Sequence, residues 1–241
     1  MCKLIAISIV SHGHGSMVVR LIEELLKFPE IGRIIVTLNI EESLVLPENE
    51  LINIIINKRP KGFAENHNAA FKSCREVYFC PLNPDIEFRG NPFPRLLEIM
   101  ADEQVGMVAP RVDSPNGQHE DSWRHFPSIF SLVRKVFGKD DGRYSIPVNK
   151  KPFSPDWVAG MFMLFRANAF RQVGGFDENF FLYYEDVDIC IRLRKNNLII
   201  LACPTVSIVH HAQRDSHRKW RHLYWHLSSM FRYFMRHWRI W

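Results

Sequence analysis

The chain has 241 residues, 46% hydrophobic and 24% charged, with a net charge of +5. That apolar content is too high for a disordered chain, and the length admits one large domain with a sizeable core. No apolar run reaches the roughly 20 residues needed to cross a bilayer. The first residues lead straight into Ser11-His12-Gly13 without a charged n-region, a long h-region or a cleavage site, so neither secretion nor an integral membrane span is expected.

In chain order, residues 4–10 are a continuous β-branched apolar run ending in a Gly-rich turn, the pattern of a buried parallel strand. Residues 17–28 carry Val18, Leu21, Ile22, Leu25 and Leu26 at helical spacing, and Pro29 stops them. Strands are expected at 33–38, 51–56 and 76–80, with a short helix at 64–73 between the last two. Residues 111–156 read as loops around one helix-like stretch at 129–137. A strand at 157–165 follows, then a helix at 167–173 closed by Gly174-Gly175, a helix at 185–195, and strand segments at 199–202 and 206–209. Strands alternating with helices argue for an α/β protein built on a parallel sheet. Cys2, Cys74, Cys80, Cys190 and Cys203 are scattered without a C-x-x-C pair, which points to buried reduced thiols and away from a disulfide framework or zinc site.

The charge is concentrated at one end. Residues 210–241 hold seven Lys and Arg against Asp215 alone, together with four of the six Trp, which leaves −1 for the rest of the chain. Nucleic-acid binding over the whole surface is therefore disfavoured. From Trp220 onward, Leu223, Tyr224, Leu227, Met230, Phe231, Phe234, Met235, Trp238 and Trp241 fall on one face of a helix. Arg218, Arg221, Arg232, Arg236 and Arg239 gather on another side, with Trp225 the one apolar residue among them. A basic, Trp-rich amphipathic helix of this kind suits an anionic membrane surface. The alternative is a stripe that packs on the sheet or in a homodimer.

Three constellations could carry chemistry. Asn83-Pro84-Asp85 follows a buried strand, where carboxylate oxygens suit Mg²⁺ or Mn²⁺ against a diphosphate; a Pro-Asp turn is the structural alternative. In Tyr184-Glu185-Asp186-Val187-Asp188, like charges beside aromatic residues would raise a carboxyl pKa toward that of a general base, whereas three carboxylates at a helix start equally serve as caps. The aromatic run 180–184 is either core or a sugar platform. Of His210-His211, only one side chain can face a given site on an extended segment. G-x-x-x-x-G-K-[ST] is absent, and Gly13-x-Gly15 lacks the third glycine of a dinucleotide fingerprint, which argues against an ATPase or NAD enzyme.

The order of these segments resembles that of the inverting family 2 glycosyltransferases with the GT-A fold, in particular the non-processive bacterial rhamnosyltransferase-like branch. The resemblance rests on the opening strand through Ser11, Lys61-Gly62-Phe63-Ala64-Glu65-Asn66-His67-Asn68, Asn83-Pro84-Asp85, Trp157-Val158-Ala159-Gly160, Gly174-Gly175-Phe176-Asp177, Glu185-Asp186 and Val209-His210-His211. It implies a Rossmann-like, mostly parallel sheet flanked by helices over residues 1–215, with a nucleotide-sugar half (1–110) and an acceptor half (111–215). Residues 216–241 would form a C-terminal amphipathic helical extension.

The same resemblance implies roles. Asp186 would be the catalytic base, with Glu185 the fallback. Asp85 falls where the family has its D-x-D motif and would contact metal and diphosphate, and His210 would approach the metal. Ser11, Asn39, Gly62, Asn66, Asn68, Asn83, Trp157 and Gly160 would line the donor site. Asn83 replaces the first Asp of D-x-D, and Asn39 stands where many members offer an Asp to the base, which leaves uracil or thymine open. The branch implies inverting transfer of one sugar, rhamnose from dTDP-rhamnose, with a UDP-sugar as the other donor class. The acceptor would be a lipid-linked oligosaccharide or polysaccharide of the O-antigen or capsule, at the cytoplasmic face of the bacterial inner membrane. Two other readings remain open: a metal-dependent nucleotidyltransferase, and an inactive membrane-docked sugar-binding or scaffold subunit.

Overall fold

In the computed structural model, which describes residues 3–120, 122–128, 130–131, 142–144, 151–212 and 219–237, the first apolar run forms β1 (Ile5–Ser11), buried on both faces. Helix α1 (Ser16–Leu25) buries Val18, Leu21, Ile22 and Leu25 and ends before the expected Phe28, because the residue preceding Pro29 disfavours helical dihedrals. Then come β2 (Ile31–Leu38), β3 (Ile52–Ile56), α2 (Phe63–Phe71) and β4 (Tyr78–Leu82). After them lie β5 (Ile86–Phe88), α3 (Phe93–Ile99) and β6 (Val105–Asp113), which the sequence reading passed over. The chain continues through β7 (Trp123–Arg124), β8 (Trp157–Val158), β9 (Leu164–Arg166), α4 (Ala167–Gln172), α5 (Glu185–Lys195), β10 (Ile199–His210) and α6 (Lys219–His237).

One eight-stranded sheet has the order β3-β2-β1-β4-β9-β6-β10-β5. The pairs β3–β2, β2–β1, β1–β4 and β6–β10 are parallel, as alternating strands and helices predict. The exceptions are β9, antiparallel between β4 and β6, and β5, antiparallel at the edge. The order reverses at β1, whose neighbours are β2 on one side and β4 on the other. In an open α/β sheet that switch point opens a crevice beyond the strand carboxyl ends, and here those ends are followed by His12 and Asn83.

Alternate residues of β1 serve two cores. Ile5, Ile7 and Ile9 pack with residues of α1 and α3, and Ala6 packs with residues of α2, α4 and α5. Cys74, Cys80, Cys190 and Cys203 are buried free thiols, and burial pushes Cys74 up to about 11 and Cys190 up to about 12. Cys2 lies outside the described residues.

Two expected elements differ. The strand expected at 157–165 is two strands in separate sheets, β8 pairing β7 and β9 joining the main sheet. The chain turns between them at Gly160, whose N–H is drawn to Asp186. Conversely, the segments at 199–202 and 206–209 are one strand, β10, with a register shift between Cys203 and Ser207 that accommodates Pro204. Most of the helix expected at 129–137 lies outside the described residues, as do Arg218, Trp238, Arg239 and Trp241.

The C-terminal helix docks mainly with residues outside the expected apolar stripe, although Met230 and Phe234 of that stripe pack partly against the same core. Ser229, Tyr233 and His237 are buried, whereas Trp220, Leu223, Tyr224, Leu227, Phe231 and Met235 are exposed. At about 100° per residue these two sets lie on opposite sides of α6. Tyr233 joins Phe180, Tyr184, Val187 and Ile191 in a small core of its own, and its hydroxyl donates to the Pro127 carbonyl at 3.2 Å. No helix of the described residues is long and apolar enough to cross a membrane.

Candidate active site

Two cavities open at the carboxyl end of the sheet and share Phe63, Asn83 and Leu182 in their walls. The first, of about 490 Å³, is lined by His12, Asn39, Gly62, Asn66, Asn83 and Asp85, among others. The second, of about 410 Å³, contains Trp157, Gly160, Glu185 and Asp186. Both volumes lie in the range of small-ligand sites.

Asn39 organises the first cavity. Its side-chain oxygen accepts the Lys61 N–H at 2.8 Å and an Asn57 amide N–H at 2.9 Å, while its own amide donates to the Lys61 carbonyl. Asn57 also donates to Asn66 at 2.7 Å, so the loop before α2 is stitched to the end of β2. Gly62 has no room for a side chain: a Cβ there would stand 2.4 Å from the Phe181 carbonyl oxygen, which accepts the Phe63 N–H. His67 is fully buried beside Ser8, and burial lowers its imidazole to about 3, leaving it a neutral structural group.

Asp85 sits where β4 gives out. One of its oxygens meets His210 Nε2 at 3.2 Å, and His210 Nδ1 meets Glu120 at 2.7 Å. Burial alone would lower the His210 pKa, but the bonds and charges of Asp85 and Glu120 together outweigh it and hold the imidazole above its ordinary value. His211 turns the other way, to Glu87 at 2.6 Å, as alternation on a strand requires. The remaining oxygen of Asp85, Oδ1, is buried without a hydrogen-bond partner. A buried carboxylate oxygen without a donor fits a cation. Among the described residues no group of three His, Cys, Asp or Glu is arranged to cage a metal. Mg²⁺ or Mn²⁺ would be held at Oδ1 by this carboxylate together with phosphate and water oxygens.

The second cavity is built on the start of α5. Tyr183 and Tyr184 both take left-handed dihedrals (φ 71° and 68°), a strained pair that turns the chain into the helix. Tyr183 bonds His222 at 2.8 Å, and Tyr184 packs on Tyr233. The Asp186 carboxylate accepts the Gly160 N–H at 3.0 Å and the Val187 N–H at 2.8 Å. Burial raises its pKa to about 6 against these lowering bonds. Glu185 is buried more deeply, with Oε2 unpartnered, and burial with the adjacent Asp186 pushes it well above the usual carboxylate range. Burial thus raises both neighbouring carboxyls, Glu185 well above the usual carboxylate range and Asp186 to about 6, where a carboxylate can serve as a general base. The third, Asp188, is fully buried and holds Arg192 at 2.6 Å, His237 at 2.8 Å and Arg236 at 3.3 Å, tying α6 to α5.

Of the residues singled out from sequence, Ser11 and Asn68 stand apart from both cavities. Ser11 is buried at the end of β1 and accepts the His14 N–H at 3.4 Å. Asn68 clasps the backbone of Phe176 from both sides, at 2.8 and 2.9 Å, and so fixes the Gly174-Gly175 turn. Conversely, the sequence reading missed the contribution of α6. Arg221, His222 and Trp225 line the Asp85 cavity, and His226 lines the Asp186 cavity. The lone aromatic Trp225 on the basic side was the available signal.

Residues 36–174, more than half of the chain, match Glycosyl transferase family 2. The chain belongs to that family. Over 97% of its length it is 29% identical to the rhamnosyltransferase WbbL of Escherichia coli K12, of which it covers 93%. It is 30% identical over 56% of its length to the N-acetylglucosaminyl-diphospho-decaprenol L-rhamnosyltransferase of Mycobacterium tuberculosis, spanning about half (47%) of that relative. These relatives set the chain in the rhamnosyltransferase-like branch of the family. Among solved structures, GalNAc-T7 with UDP, GalNAc and Mn²⁺ superposes at a TM-score of 0.70 and 16% identity, covering 88% of this chain and 44% of that one. The mannosyltransferase PcManGT of Pyrobaculum calidifontis, in complex with GDP-Man and Mn²⁺, superposes at 0.62 and 13% identity, covering 95% and 64%. The fold of this family 2 member is therefore GT-A.

Proposed function

We propose that this family 2 glycosyltransferase moves one sugar, rhamnose from dTDP-rhamnose, onto a hydroxyl of a lipid-linked oligosaccharide in bacterial O-antigen or capsule synthesis, with inversion at the anomeric carbon. The carrying observation is that the Asp186 cavity and the Asp85 cavity abut at Asn83 and Leu182. A nucleotide sugar seated along Asn39, Asn66 and Asp85 would present its anomeric carbon at that junction. Asp186 would take the proton from the acceptor hydroxyl, with the Gly160 and Val187 N–H groups fixing the carboxylate's orientation. Its pKa of about 6 leaves it ionised at neutral pH. The acceptor oxygen would attack from the side opposite the leaving nucleoside diphosphate, which is displaced in one step. Mg²⁺ or Mn²⁺, held by Asp85 and the diphosphate, would neutralise charge on the leaving group when bound; His210, placed against Asp85, would orient that carboxylate.

The sugar and acceptor rest on the names of the two bacterial relatives. The membrane location rests on α6, whose exposed stripe from Trp220 to Met235 is apolar and aromatic and whose charges are of one sign. Residues 1–215 would be the catalytic unit and 216–241 the membrane-facing extension. Incubating the protein with a panel of nucleotide sugars and a polyprenyl-diphosphate-linked sugar acceptor tests the proposal. Release of dTDP from dTDP-rhamnose with a glycosylated product is expected. Pyrophosphate release from a nucleoside triphosphate would replace the reading with nucleotidyl transfer. Absence of any product would leave a sugar-binding subunit.

A further inference from the structure

Helix α6 presents two different faces. Its apolar stripe looks away from the molecule, while Arg221, His222 and Trp225 reach the wall of the Asp85 cavity. Within that wall the positive charge is unevenly committed. Lys61 is engaged by Glu65 at 2.9 Å. Arg221 makes no ion pair with a carboxylate of the described residues; its guanidinium lies 5.5 Å above the Trp225 ring. Trp225 in turn rests on Phe181, with ring centroids 4.8 Å apart. The backbone of Phe181 is held in place, because its carbonyl oxygen accepts the Phe63 N–H and lies where a Gly62 side chain would be. A continuous stack therefore runs from the Gly62 turn through Phe181 and Trp225 to the Arg221 guanidinium. The Asp188 ion pairs hold the far end of the same helix.

We propose that Arg221 is the diphosphate-binding cation of the donor cavity, contributed by the C-terminal helix and pre-positioned by its stack on Trp225. The inference rests on the donor-site reading above. A nucleoside diphosphate brings more negative charge than a divalent cation already shared with Asp85 can balance. A guanidinium with a fixed plane offers two parallel N–H donors to phosphate oxygens. Holding that plane on an aromatic ring beforehand lowers the ordering cost of binding.

The test is calorimetric titration of the full chain, in Mg²⁺, with dTDP and UDP and with the matching nucleosides thymidine and uridine. Arg221→Gln should weaken diphosphate binding about 10- to 100-fold, the range of a charge-assisted phosphate contact, and leave nucleoside binding within about twofold. Because Arg221 is exposed and packs on a single ring, the thermal midpoint of the variant should match that of the wild type. Unchanged diphosphate affinity in Arg221→Gln, or an equal loss for nucleosides, would overturn the proposal and make the stack purely structural. If the wild-type chain binds neither diphosphate, the donor-site reading itself falls. If the wild type binds and the variant binds equally, only the role of Arg221 is refuted.

Discussion

Replacing Asp186 by Asn separates the chemistry of that carboxylate from its cost to the fold. In the folded chain its pKa rises from 3.8 to about 6, mainly through burial. A carboxyl that holds its proton more tightly when folded favours folding at low pH, and that advantage is lost as pH rises. The difference of about two units, at about 1.36 kcal/mol each, makes ionised Asp186 cost about 3 kcal/mol above pH about 7 and almost nothing below pH about 4. This is an upper figure, because the side chain opens partly to the cavity and is screened there. Asn carries no such penalty, but one of the two N–H groups now bonded to the carboxylate, Gly160 or Val187, would face an amide N–H. That mismatch costs roughly 1–3 kcal/mol at every pH. Asp186→Asn should therefore be the less stable protein at pH 4 and gain about 2–3 kcal/mol on the wild type by pH 8, measured by urea unfolding. Its kcat/KM should fall about 10²- to 10⁴-fold and lose the acid limb with midpoint near 6, while dTDP affinity stays unchanged. Parallel stability curves across that window, or near-normal turnover in the Asn variant, would refute the reasoning.

Asp85→Ala should weaken dTDP binding in Mg²⁺ or Mn²⁺ and leave the residual binding in EDTA unaltered, as read by titration calorimetry; equal losses in both buffers would remove the metal from Asp85. Asp188→Asn should destabilise the chain by roughly 3–5 kcal/mol in urea, because Arg192 and Arg236 would lose a buried counter-charge and the contact with His237 would be weakened; a loss below about 1 kcal/mol would mean that α6 is held by its apolar contacts alone. Leu227→Asp combined with Phe231→Asp should abolish co-sedimentation with anionic phosphatidylglycerol vesicles without moving the thermal midpoint, since both side chains are exposed. Wild-type chain that fails to bind vesicles and instead dimerises through this stripe would reverse that conclusion.

Much of this protein is legible in local stretches of its sequence. The buried β1, the stripe of α1, the double-glycine stop after α4 and the acidic start of α5 are each written within about ten consecutive residues, where backbone period and end chemistry act locally. The same locality made Asn83-Pro84-Asp85 and Glu185-Asp186 visible as candidates beyond strand and helix ends. What local pattern could not decide is which distant groups would meet them. Asn68 looked like a donor ligand until Phe176, 108 residues on, claimed both ends of its amide. The apolar run 157–165 concealed a break, because its halves pair with different distant partners, Ala159 with Ser122 and Met163 with Pro81, while the Gly160 N–H meets the Asp186 carboxylate. Amphipathicity in α6 located a helix and two faces but not which face would dock. The helix is held by buried Asp188 on the side bearing Arg236 and His237, so most of the apolar stripe is left outward and Arg221 stands at the Asp85 cavity. A charge taken out of water must be met by its partners wherever the chain carries them, and only the tertiary structure brings those partners together.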